Sequence, residues 1–132
     1  MHGRFSAGVV GVVLNVHGEI LIVEHVFHPE CPWGLPGGWL NPGEAPQDGL
    51  RREMLEELGI AVEVGQPLLV NTGYSSRTHL DISFLCQTNS AAISLSSELL
   101  DFRWVTPATL PRMKPFHTAS VAAVMTASGN EV

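Results

Sequence analysis

Apolar and polar residues change rhythm several times along this chain, and each rhythm predicts an element. Residues 9–16 and 19–26 are apolar runs separated by His17-Gly18. Two such runs around a two-residue turn predict a β-hairpin. Residues 28–43 lose the pattern. Pro29, Pro32, Pro36, Pro42 and four glycines predict a loop there. From 46 to 58 the period becomes helical, with Leu50, Met54, Leu55 and Leu58 on one side and Gly59 after the last turn. Residues 61–64 and 68–71 read as extended. Residues 79–87 alternate strictly, Leu80, Ile82 and Phe84 on one face and Asp81 and Ser83 on the other. A short strand follows at 102–105. Thr106-Pro107, a capping hydroxyl before proline, predicts a helix start. The last helix is expected over 118–127, with Val121, Val124 and Met125 as its apolar side. Strands and helices alternating in this way predict an α/β or α+β chain with one dominant sheet.

The length, 132 residues, suits one domain over 1–132, and 45% apolar residues are enough for a packed core. With 7 Lys+Arg against 13 Asp+Glu the net charge is −6, and Lys114 is the sole lysine. No basic face is available for a nucleic-acid backbone or an anionic membrane surface. Cys31 and Cys86 form no disulfide framework, which predicts free thiols and a reducing, cytoplasmic setting. The apolar run from Ala7 to Leu14 after Arg4 is too short for a signal peptide and lacks a small-residue cleavage site, so it reads as a strand. No run reaches membrane-spanning length.

The acids are clustered. Six of the 13 lie between Glu44 and Glu63. On a helical wheel Glu53, Glu56 and Glu57 share an arc of about 100°, largely opposite the leucine stripe. They are neighbours at i,i+3 and i,i+4, where like charges repel by a few tenths of a kcal/mol per pair. Gly49 falls within the same arc and costs about 0.8–1 kcal/mol as an interior helical glycine. Ala45, the expected N-cap, has no side-chain oxygen, a further loss of about 1 kcal/mol. Local stability does not account for these choices. The wheel alone leaves two readings open, a solvated glutamate face or a site for a divalent cation, with Gly49 leaving room above the helix for an ion or phosphate.

The segment 38–60, GWLNPGEAPQDGLRREMLEELGI, resembles the Nudix box, G-x5-E-x7-R-E-U-x-E-E-x-G-U, where U is a bulky aliphatic residue. Gly38, Glu44, Arg52, Glu53, Glu56, Glu57 and Gly59 fill every fixed position, and Met54 and Ile60 the U positions. Met54 departs mildly from the usual Ile, Leu or Val. The approach Trp33-Gly34-Leu35-Pro36-Gly37-Gly38 resembles the usual lead into the box. Glu98, six residues before Trp104, resembles the family's late acidic strand. The resemblance implies an α/β/α sandwich around a mixed sheet. It implies hydrolysis of a nucleoside diphosphate linked to another moiety, with water as nucleophile and Mg²⁺ or Mn²⁺ as cofactor. By the same resemblance Glu53, Glu56, Glu57 and the Gly38 carbonyl hold metal and Arg52 orients the carboxylates. Glu44 braces loop against helix, and the general base is Glu53, with Glu98 second. Small members are often homodimers.

Other residues invite weighing. His25 and His28 lack partners at zinc spacing apart from Cys31. His28, Arg77 and His79 are candidates for a substrate phosphate. Phe27, Trp33, Trp39 and Tyr74 can stack a base or pack a lid, and Trp104 is expected in the core. The substrate is not written in the sequence. The proline of many ADP-ribose pyrophosphatases is absent where Ser75 and Ser76 stand, and Tyr74 is near but not at the tyrosine position of dinucleoside polyphosphate hydrolases. The short length resembles nucleoside triphosphate house-cleaning enzymes. Two alternatives stay open. One is a nucleotide-binding Nudix module with little turnover, against which the intact box argues. The other is an isoprenoid diphosphate isomerase-like enzyme, which would need Cys31 in its pocket.

Overall fold

A computed structural model of the chain describes residues 4–72 and 78–129. Seven strands form one mixed sheet: β1 Ser6–Leu14, β2 Ile20–His25, β3 Trp33–Gly34, β4 Gly37–Trp39, β5 Glu63–Thr72, β6 His79–Gln87 and β7 Leu99–Val105. Two α-helices, α1 Pro46–Leu58 and α2 Pro115–Gly129, lie on opposite faces. The architecture is the expected α/β/α sandwich.

Period-two alternation explains the two layers. On β2, Leu21 and Val23 face the α1 core with Val9, Val13, Leu50, Met54, Leu58 and Phe84. Ile20 and Ile22 face the α2 core with Val12, Leu35, Met113, Val121 and Val124. A sheet covered on both faces reads as continuous apolar runs, as residues 9–16 and 19–26 do. Leu50, Met54 and Leu58 are fully buried. Each contributes about 1.5–3 kcal/mol by leaving water, which outweighs the glutamate repulsion and the weak cap at Ala45. No side-chain cap is made at Ala45. The helix ends at Gly59, whose φ of 67° lets its N–H reach the Leu55 carbonyl.

Several expectations are corrected. The hairpin is barely one: β1 and β2 share the register pair Leu14↔Ile20, then part. The segment expected as a loop at 28–43 contains β3 and β4, wedged into the gap. β3 pairs β2 at Val23 and Glu24, and β4 pairs β1 from Gly8 to Val10. Gly37 permits this approach, since a side chain there would collide with the Val9 carbonyl. The two short extended pieces after α1 are one strand, β5, which runs on through irregularities at Val64, Pro67 and Leu69. Thr106-Pro107 starts only a 3-10 turn, Pro107–Thr109, although its capping box is made. Pro111 disfavours helical backbone at Leu110 and stops it. α2 begins at Pro115, three residues before the expected start. Leu55 and Met125, read as core, are 57% and 50% exposed. Trp104 packs partly buried against the α1 core.

Both cysteines are free thiols, Cys86 buried and Cys31 half-buried. Among the described residues no helix is long and apolar enough to cross a membrane.

Candidate active site

The wedge leaves a cavity of about 500 Å³ between β1, β2 and the two helices. Glu53, Glu57 and Glu98 line one part of it. Glu53 and Glu57 project from α1 one turn apart, held against β4 by the leucine stripe beneath. Glu98 stands in the turn just before β7 rather than on a strand, and its carbonyl accepts from the Val26 N–H at 3.2 Å. Glu56, 59% exposed, lies outside the cavity lining.

Burial and mutual repulsion act on these acids together. Glu57 is pushed up to about 8, first by loss of water and then by Glu53, Glu98 and Glu56. Its Oε2 is buried and accepts no hydrogen bond. Burial also raises Glu53, against the pull of Arg52. A carboxylate with a buried, unpartnered oxygen among other carboxylates is stabilised by a proton or by a cation. Oxygen donors of this kind suit a hard divalent ion. The chemistry of the donor set therefore fits Mg²⁺ or Mn²⁺. As placed, no three His, Cys, Asp or Glu side chains among the described residues converge at ligand distance. Side-chain rotation would be needed to gather them.

Arg52 fixes the rest. Its Nε donates to Glu44 Oε2 at 2.8 Å and its Nη2 to Glu44 Oε1 at 2.9 Å, a two-pronged pair. Nη1 donates to Glu53 Oε1 at 2.8 Å and to Glu56 Oε2 at 3.2 Å, and Nη2 also reaches the Trp39 carbonyl at 3.1 Å. The guanidinium holds Glu44 down at about 2, helped by the Asn41 N–H. One arginine thus ties the loop, β4 and α1 together. Gly49 is buried beneath this loop, where a side chain would strike Leu40 and stand 2.9 Å from Glu44 Oε1. The glycine admits the loop; it does not leave room for an ion.

Imidazoles line the other part. The Leu35 N–H donates to His117 Nδ1 at 2.9 Å. Burial, then Lys114, His25 and His28, pull His117 down to about 4. His25 and His28, with ring centroids 5.6 Å apart, are lowered by the same causes, burial first. His79 has both ring nitrogens engaged, Nδ1 with Ser6 Oγ at 2.7 Å and Nε2 with Asp81 Oδ1 at 3.1 Å. Trp39 leans on its ring, while Arg103 covers Trp33 at 4.5 Å. Arg77, Tyr74, Ser75 and Ser76 lie outside the described residues.

The model of the NUDIX domain matches residues 4–125. The chain belongs to the Nudix family. It is 34% identical over 102 residues to a MutT-like protein of Streptomyces ambofaciens, covering 77% of this chain and 64% of that one. It is 32% identical over 90 residues to the nucleoside triphosphatase NudI of Escherichia fergusonii, covering 59% and 64%. The match therefore spans just under two thirds of these relatives' length. In structure it resembles a Nudix hydrolase of Nitrosomonas europaea, with a TM-score of 0.85 at 17% identity over 99% of this chain and 76% of that one.

The Nudix box thus forms the acidic part of the cavity. Three residues that pattern reading passes over also line it: Asp81, Lys114 and His117. Lys114 and His117 are three apart at the start of a helix, a spacing visible in the sequence. Asp81 enters through the parallel pairing of β1 with β6, which no local pattern announces.

Proposed function

We propose that this Nudix protein hydrolyses the pyrophosphate bond of a nucleoside diphosphate derivative, a nucleoside triphosphate first among the candidates. The observation that carries this reading is Glu57: a buried carboxylate with an unpartnered oxygen, surrounded by Glu53, Glu56 and Glu98. Glu53, Glu56, Glu57 and the Gly38 carbonyl would hold Mg²⁺, with Mn²⁺ as a substitute. When bound, the ion neutralises phosphate oxygens and makes water more acidic. The chain's own residues do the rest. Arg52 positions Glu53 and Glu56, and Glu44 keeps Arg52 from turning away. Glu53 takes the proton from the attacking water, with Glu98, on the same cavity, as the second candidate. The resemblance to a nucleoside triphosphatase supports a nucleotide substrate. The small molecule enters a cavity whose acids exclude it electrostatically until a cation is present.

A screen over nucleoside triphosphates, nucleotide sugars, ADP-ribose and dinucleoside polyphosphates, with Mg²⁺ and Mn²⁺, tests this directly, with inorganic pyrophosphatase added for the triphosphates and a phosphomonoesterase for the capped substrates so that each cleavage releases phosphate. The expected result is metal-dependent release, lost in Glu57→Gln. Tight nucleotide binding without turnover would instead make the protein a binding module. Cys31 does line the cavity, as an isomerase-like enzyme would require, but its Sγ leans on the Arg112 carbonyl at 3.7 Å. Full hydrolytic activity in Cys31→Ala removes that reading.

A further inference from the structure

Across three neighbouring strands, Gly8 on β1 lies level with Trp39 on β4 and with Asp81 on β6. Cross-strand partners project on the same face. The row therefore reads aromatic ring, bare backbone, carboxylate, spanning roughly 10 Å at the usual strand spacing. Ser6 and His79 form the next pair along the same face. Gly8 has no side chain to fill the row, and a Cβ there would stand 3.1 Å from Asp81 Oδ1 and 3.3 Å from His79 Nε2.

The polar groups of this row form a directed chain. A carboxylate only accepts, so His79 Nε2 donates to Asp81 Oδ1 at 3.1 Å. Nδ1 of a neutral ring then accepts from the Ser6 hydroxyl at 2.7 Å. The Trp39 ring packs on His79 with centroids 4.8 Å apart and is otherwise 66% exposed. Asp81 Oδ2 has no partner among the described residues, and the side chain is 33% exposed on the cavity wall.

We propose that Trp39 and Asp81 form the subsite for the substrate's organic moiety. A planar heterocycle lies against Trp39 and turns an edge of two adjacent N–H donors to Asp81. Guanine, with N1–H beside its 2-amino group, has that edge. Hypoxanthine lacks the amino group, and adenine and cytosine offer a donor beside an acceptor that the carboxylate repels. Ser6 and His79 are positioning residues that hold Asp81 in place. The inference rests on the nucleotide reading of the cavity, and its test is independent of turnover.

The test is calorimetric binding of guanosine and inosine 5′-monophosphates, which have no pyrophosphate bond, to the whole chain with Mg²⁺. Wild type should prefer the guanosine compound by roughly ten- to hundredfold, as expected for one charge-assisted hydrogen bond. In Asp81→Asn the preference should fall to about twofold or less, since the amide no longer offers two acceptors. Trp39→Ala, at an exposed position, should weaken both ligands by about tenfold and leave the preference intact. Equal wild-type affinities overturn the inference without needing any variant, as does absence of binding by both. An unchanged preference in Asp81→Asn also overturns it. A 2′-deoxy compound bound more weakly by wild type but not by Asp81→Asn would assign the carboxylate to the ribose instead. Base discrimination without hydrolysis would defeat the proposed function alone, and hydrolysis indifferent to the base would defeat this inference alone.

Discussion

Glu53 and Glu57 line the same cavity as His25, His28 and His117 and lose the same kind of solvent. The consequences are opposite. Burial disfavours the charged form of each group. For the glutamates this raises Glu57 to about 8 and leaves one of its oxygens unpartnered. The acidic part carries a repulsion that a proton or a bound cation relieves. For the histidines burial lowers the pKa, and His117, bonded at Nδ1 by the Leu35 amide, is complete as a neutral ring. On the proposed reading one region receives an ion and the other remains uncharged without one.

The largest effect is expected where that difference is sharpest. Glu57→Gln keeps the shape and removes the charge, and should lower the Mg²⁺-dependent turnover number by about a thousandfold. Steady-state kinetics on the substrate found by the screen checks this, with circular dichroism to show the fold intact.

The imidazole region predicts a pH dependence of stability. His117 stands near 4 when folded, against 6.5 for an ordinary histidine. The unfolded chain therefore takes up the proton first. The stabilisation is complete above about pH 6.5 and is lost as pH falls towards 4, by about 3 kcal/mol. His25 and His28, also lowered, act in the same direction. Glu57 and Glu53, raised when folded, act in the opposite direction over the same range. The histidine contribution is therefore read as a difference: urea midpoints of wild type should fall relative to those of His117→Gln between pH 7 and 4.5.

A smaller effect separates packing from ion binding in the acidic region. Gly49→Ala would add about 1 kcal/mol of stability on helix propensity alone. The side chain must instead displace Leu40 and crowd Glu44. A net destabilisation of about 1–3 kcal/mol is expected from overpacking, measured by thermal melting. A gain in stability would mean that the loop does not rest on the glycine.

The contrast also tracks what the sequence made legible. α1 matched its expected span because Pro46, the leucine stripe and Gly59 are all local signals. The strict alternation of β6 did the same for 79–87. The box glutamates were legible because spacing on one helix places them side by side. The wedge was not, since strands of two and three residues among prolines and glycines have no period to read. Pro115 is the same first-turn proline signal as Pro46, and it starts α2 three residues before the expected 118. Gly49 was read through the wheel, where it faces the acids. Its actual neighbour, Leu40, comes from the loop, and a wheel knows nothing of loops. Asp81 and His117 meet the cavity only through long-range packing, so their chemistry appears once the strands are in register.

The central claim is that the acidic region needs a divalent cation, and calorimetric melting with and without Mg²⁺ tests it most directly. At an ion concentration a hundred times its dissociation constant, wild type should gain about 2.7 kcal/mol and melt at a higher temperature. Glu57→Gln should melt no lower than wild type without the ion and gain little from adding it. Equal Mg²⁺ stabilisation of the two proteins, or none in wild type, would contradict the account.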